Sequence, residues 1–179
     1  MSELQRTYVK DMFNMKPGEK VCLKGWIYDS RDLKKIKFII LRDKTGRAQI
    51  TGVAKETDEK TFEIMDKISR ESAIEIIGII KDCKQAPGGK EIAPEKIIVL
   101  AEAANPLPVD VTDYSKTELP IRLDYRFLDL HREKAQAIFK VQSTLLQAYH
   151  KFMTQEGAME ALFPSIIGSS SEGGTELFK

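Results

Sequence analysis

Residues 21–53, VCLKGWIYDSRDLKKIKFIILRDKTGRAQITGV, decide the fold. They hold three short β-rich runs, 21–29, 36–43 and 47–53, separated by turn signals such as Lys44-Thr45-Gly46. Further along, DEKTFEIMDKIS (58–69) sets Phe62, Ile64, Met65 and Ile68 on an approximate helical stripe. SAIEIIGIIKD (72–82) and EIAPEKIIVLAEA (91–103) then add two strands joined at Pro87-Gly88-Gly89. Three strands, a helix and two strands is the order of a small five-stranded barrel of the OB type, so residues 1–104 are expected to form one OB-fold domain.

Beyond the barrel the pattern changes. NPLPVDVTDYSKTELP (105–120) holds three prolines and little periodicity, which predicts an extended linker over 105–121. In EKAQAIFKVQSTLLQAYHKFMTQEG (133–157) Ile138, Leu145 and Phe152 recur every seven residues, as do Phe139, Leu146 and Met153 one step on. Gly157 supplies the stop, so the spacing predicts one long amphipathic helix whose stripe is core or subunit interface. MEALFPSII (159–167) reads as a strand ended by Pro164 that leads into a loop of small residues, SSSEGGTELFK (169–179). Residues 122–179 are thus expected to begin a second, α+β domain.

Composition bounds the function without naming it. The 179 residues are 42% apolar and 31% charged, the profile of a globular chain. No apolar run approaches the roughly 18 residues that span a bilayer, and the first residues hold no signal-peptide core, so a cytoplasmic protein without a membrane partner is expected. Cys22 and Cys83 are far apart and are expected to be buried free thiols. No metal site is predicted, and His131 and His150 are isolated. Net charge is only +1, yet Lys20–Gly52 carries nine Lys and Arg against three Asp. Such a run is either a solvated face or part of a nucleic-acid footprint.

The first strand bears on that choice. Alternation places Val21, Leu23, Gly25 and Ile27 on one face and Cys22, Lys24, Trp26 and Tyr28 on the other, so the second face mixes rings with a cation. Phe38 with its neighbour Lys37, and the alternating row Arg47, Gln49 and Thr51, extend it. Rings for base stacking and cations for phosphate are what single-stranded nucleic acid requires. A lone strand tryptophan also serves as core filling.

GWIYDSRDLKKIKFIILRDKTGRAQI (25–50) resembles the anticodon-binding barrel of the aspartyl-tRNA synthetases, especially the archaeal and eukaryotic type. RLDYRFLDL (122–130) resembles the approach to their class II catalytic domain, and AIFKVQS (137–143) its first long helix. GAMEALFPSII (157–167) is similar to class II motif 1, and SEGGTELF (171–178) to the loop that closes over bound aspartate. The chain departs from the family pattern at Tyr125, His131, Ala158 and Phe163 and keeps Pro164.

The resemblance implies that Phe38 stacks on an anticodon base, that Arg31 and Gln49 contact bases or backbone beside it, and that Glu91 bonds a base edge. Trp26, in the family's Gly-Trp pair, supports that face. Glu172 would meet the α-ammonium of aspartate, with Ser171, Gly173 and Gly174 as the hinge. Implied partners are a tRNA with an aspartate-type anticodon and, for a full enzyme, aspartate, ATP with Mg²⁺ and a second subunit in a homodimer. Motifs 2 and 3, with their ATP-binding arginines, are not in the sequence, and no phosphate loop or acidic metal cluster replaces them. The chain is therefore expected to bind no cofactor, to have no catalytic residue and to form no adenylate alone. Two functions fit: the anticodon-reading N-terminal part of an aspartate–tRNA ligase, or a free-standing OB-fold RNA-binding factor. Two or three base contacts with phosphate attraction are worth about 6 kcal/mol, a Kd on the order of tens of micromolar.

Overall fold

The computed structural model describes residues 4–112 and 116–164. It divides into two compact units at Tyr125/Arg126. The first is a closed barrel with strand order β1-β2-β3-β5-β4, formed by β1 (Lys20–Asp32), β2 (Ile36–Asp43), β3 (Gly46–Val53), β4 (Ala73–Asp82) and β5 (Lys90–Ala101). β1 runs antiparallel to β2 and β4, while β3 and β5 meet in parallel and close the cylinder. This is the expected OB barrel.

Strand alternation builds the interior. Val21, Leu23 and Ile27 of β1, Ile39 and Leu41 of β2, Ile50 of β3, Ile74, Ile76 and Ile80 of β4 and Ile92 of β5 are all buried in one cluster. Branched side chains suit these positions because they pack on a pleated surface with little loss of rotamer freedom. Gly25 is required where β1 and β2 press together: a Cβ there would stand 2.3 Å from the Arg42 carbonyl oxygen. Two helices plug the cylinder. The expected one, α2 (Glu59–Lys67), starts at Asp58, whose carboxylate accepts from the Thr61 N–H, and contributes Met65 to the core. The other, α1 (Val9–Met12), has too few residues to show a period, yet Val9 and Met12 are fully buried. The Asp43 carboxylate anchors it, accepting from Val9 N while its other oxygen accepts from Thr45 and Gly46 in the β2–β3 turn.

Residues expected to be linker are partly structured. Val109 and Val111 are buried, Tyr28 Oη donates to the Thr112 carbonyl, and α3 (Leu119–Asp124) begins inside the expected linker. Pro120 sits in its first turn, where proline's missing N–H is no loss. The second unit holds α4 (Arg126–Asp129) and the predicted long helix, α5 (Glu133–Gln155). The heptad positions Ile138, Leu145 and Phe152 are all more than half exposed. The strand expected from 159 does not form over 159–164, and the remainder of that run lies outside the described residues. A strand satisfies its backbone groups only beside another strand, and among the described residues none lies in this unit. Glu172, Ser171, Gly173 and Gly174 also lie outside the described residues. Cys22 is buried as expected, but Cys83 is half-buried, in the β4–β5 connection. Among the described residues no helix is long and apolar enough to cross a membrane.

Candidate nucleic-acid interface

The outer face of β1, β2 and β3 is a ladder of three rungs. Trp26 pairs with Arg42 and Arg42 with Arg47; Asp29 pairs with Ile40 and Ile40 with Gln49; Arg31 pairs with Phe38 and Phe38 with Thr51. Simple alternation from Val21 would have turned Arg31 inward. A bulge between Ile27 and Asp29 inserts Tyr28 as an extra residue and reverses the phase of β1, so that Asp29 and Arg31 share the outer face with Phe38. The parallel pairing of β3 and β5 then sets Glu91 beside Gln49.

Four of the five barrel residues expected to bind are thereby brought together. Arg31, Phe38 and Gln49 line one cavity of about 280 Å³ with Asp29, Ser30, Ile40 and Gln85. Phe38 is half-buried, an accessible ring and not a core residue. Glu91 stands behind Gln49: its Oε2 accepts from Gln49 Nε2 at 2.9 Å and from Thr51 Oγ1 at 2.6 Å. One oxygen thus holds the amide and the hydroxyl in place, and Oε1 takes part in neither bond. An aromatic wall, a guanidinium, an amide and a carboxylate in a cavity near the lower size limit of ligand pockets suit a single flat, polar ring system.

Trp26 is not in that cavity. It lies two rungs away at 37% exposure, opposite Arg42. That end is closed by a buried ion pair in which both carboxylate oxygens of Glu71 accept from Arg42 Nη2, at 2.8 and 2.9 Å. Arg47 lies 3.7 Å from the centroid of the Tyr28 ring. Two cations of the expected binding face are also engaged elsewhere. Lys24 pairs with Glu75 across β1 and β4 at 2.8 Å, a bond that holds the Glu75 carboxyl below its usual range. Lys37, next to Phe38 in the chain, necessarily points the other way; it is buried against the Phe62 ring of α2 and bonded to Asp66, whose carboxyl it also holds low. Burial, with Glu75 nearby, pushes the Cys22 thiol up, so it stays protonated.

Gln85 was not singled out in the sequence. It belongs to the β4–β5 connection and reaches the cavity only because the barrel closes, a placement with no local signal. Among the described residues no group of three or more His, Cys, Asp and Glu could hold a metal ion.

An aromatic-walled polar cavity on the outside of a closed five-stranded OB barrel defines a nucleic-acid-binding module, and residues 21–100 match the family of OB-fold nucleic acid binding domains that carries the tRNA anticodon label. Residues 118–179 match the class II tRNA synthetases for D, K and N. The chain belongs to the aspartyl-tRNA synthetase family of class II. It is 44% identical over 97% of its length to an aspartate–tRNA(Asp/Asn) ligase of Archaeoglobus fulgidus, and 42% identical over 90% to an aspartate–tRNA(Asp) ligase of Thermococcus kodakarensis. It spans about 40% and 37% of those relatives. Among solved structures, asparaginyl-tRNA synthetase of Pyrococcus horikoshii complexed with asparaginyl-adenylate superposes with a TM-score of 0.84 at 32% identity, covering 96% of this chain and 39% of that one.

Proposed function

We propose that this chain reads the anticodon of an aspartate-type tRNA through the outer face of its barrel, as the anticodon-binding part of an aspartate–tRNA ligase. The observation that carries the reading is the convergence of Arg31, Phe38 and Gln49 on one cavity with Glu91 bonded behind them. A base stacked on Phe38 would present its edge to Gln49, which donates and accepts, and to Glu91, which accepts from an exocyclic amine or ring N–H. Arg31, at the rim, suits a phosphate or a base acceptor. Because Glu91 pre-orients Gln49, less freedom is lost when a base arrives.

The activity of a whole synthetase is part of the same proposal: aspartate activated with ATP, then transferred to the bound tRNA by a homodimer. In that reading Glu172 pairs with the aspartate ammonium, and Ser171, Gly173 and Gly174 let the loop close. ATP and Mg²⁺ belong to this whole-enzyme reading; among the described residues no group of three or more His, Cys, Asp and Glu could hold the metal ion.

The test is titration of the 179-residue chain with an aspartate-anticodon stem-loop and with one of scrambled anticodon. Preference for the first, with affinity lost by about tenfold or more in Phe38→Ala, is the expected result. Equal binding of the two RNAs, or an unchanged Kd for a folded Phe38→Ala variant, overturns it.

A further inference from the structure

The residues between α2 and β4 reach both ends of the barrel's outer face. Glu71 N donates to the Ile27 carbonyl at 2.8 Å and Ile27 N to that of Ser72 at 3.0 Å, so this connection is stitched to β1 immediately before the bulge. From there two adjacent side chains part. Glu71 binds Arg42 at the closed end, while Arg70 Nη2 donates to Asp29 Oδ1 beside the base cavity. Asp29 lines that cavity; Arg70 does not, and borders a neighbouring cavity of about 520 Å³ that shares Ser30 with it.

The Asp29 carboxylate has a second cation within reach. The bulge puts Asp29 and Arg31 on one face of β1, about 7 Å apart along the strand, a distance that an extended arginine side chain covers. Among the described residues, however, the ion-pair partner of Asp29 is Arg70, and no ion pair engages Arg31. A bare carboxylate on this wall would repel phosphate and compete with RNA for the guanidinium. The side chains of Arg70 and Asp29 are 47% and 36% exposed, and a pair so open to water contributes little to stability. Its consequence lies in what it does to the charges around the cavity.

We propose that Arg70 is a positioning residue for anticodon binding: by holding the Asp29 carboxylate it leaves the Arg31 guanidinium to the RNA. The inference rests on the anticodon reading above and adds to it a residue from outside the cavity. Arg70 acts through Asp29 and needs no contact with the RNA itself. Without it, Asp29 changes partner and captures Arg31, and the cavity loses the donor at its rim while Phe38, Gln49 and Glu91 stay in place.

The experiment measures Kd for the aspartate-anticodon stem-loop at one fixed, low salt concentration, with Tm measured alongside, using the 179-residue chain. Arg70→Ala should keep a Tm close to the parent's and bind about tenfold more weakly, the loss of one charge-assisted contact. Adding Asp29→Asn to Arg70→Ala removes the competing anion and should recover most of that loss. Adding Glu102→Gln instead restores the same net charge away from the cavity and should recover little. In an Arg31→Ala background, Arg70→Ala should cost nothing further. Parent affinity in Arg70→Ala, a loss that persists after Asp29→Asn or in the Arg31→Ala background, or equal recovery by Glu102→Gln overturns the role of Arg70. The anticodon reading then stands as long as Phe38→Ala weakens binding. Failure of the parent chain to bind, or of Phe38→Ala to weaken binding, overturns both.

Discussion

The two ends of the barrel's outer face are made from the same strands and the same residue types, yet they do different things. At one end Trp26, Tyr28, Arg42 and Arg47 combine two aromatic side chains with two arginines, and Glu71 closes the group by neutralising Arg42 out of solvent. At the other, Phe38 and Arg31 combine a ring and an arginine whose guanidinium has no ion-pair partner among the described residues, and Gln49 and Glu91 stand as an oriented polar pair. A cation beside an aromatic is therefore not itself a binding signal. What separates the ends is the counter-charge: a buried carboxylate turns an arginine into structure, while an exposed arginine without one stays available to a ligand.

Substitutions at the two ends should separate stability from binding. The largest effect is expected at the closed end, where Glu71→Ala leaves Arg42 buried without its partner and costs about 3–5 kcal/mol in urea unfolding. A cost near zero would mean that this ion pair does not hold the end shut. At the open end, Phe38→Ala should lose about 1–3 kcal/mol of stem-loop binding with a smaller change in stability. Trp26→Ala, two rungs away, should lose distinctly less binding, and equal losses would erase the distinction between the ends. Glu91→Gln keeps acceptors for Gln49 and Thr51 but removes the charge, so a binding loss of about 1 kcal/mol is expected.

The smallest effect concerns Lys24, the cation that sequence alternation placed with Trp26. Because Lys24 lowers the folded pKa of Glu75, the pair stabilises the protein above the ordinary glutamate pKa of about 4.3 and is lost as pH falls through the lowered value. Lys24→Ala should raise the Glu75 titration midpoint in NMR and shrink that acid-dependent loss. An unmoved midpoint would return Lys24 to the exposed, unpaired cations.

Legibility differed element by element. All five strands and the helices α2 and α5 could be read, because each carries a full period of apolar side chains. Helix α1 could not, since four residues hold about one turn and its burial depends on the open end of a barrel formed later in the chain. Lys37 and Lys24 were read as part of the binding face, but their partners Asp66 and Glu75 are distant in sequence and adjacent only after folding. Phe38 and Gln49 were placed on the face by alternation and given their roles by resemblance, Arg31 and Glu91 were reached by resemblance alone, and Gln85 carried no signal.

The order and spacing of apolar residues determined the barrel, its inward-facing isoleucines and the long helix that follows, because burial of a periodic apolar face is dictated locally along each strand and helix. Tertiary structure alone decided which charges are spent. The Tyr28 bulge turned Arg31 outward, barrel closure brought Glu91 to Gln49, and Glu71 claimed Arg42. Electrostatic partnership is a matter of a few ångströms between segments far apart in the chain, and no local pattern of residues encodes that distance.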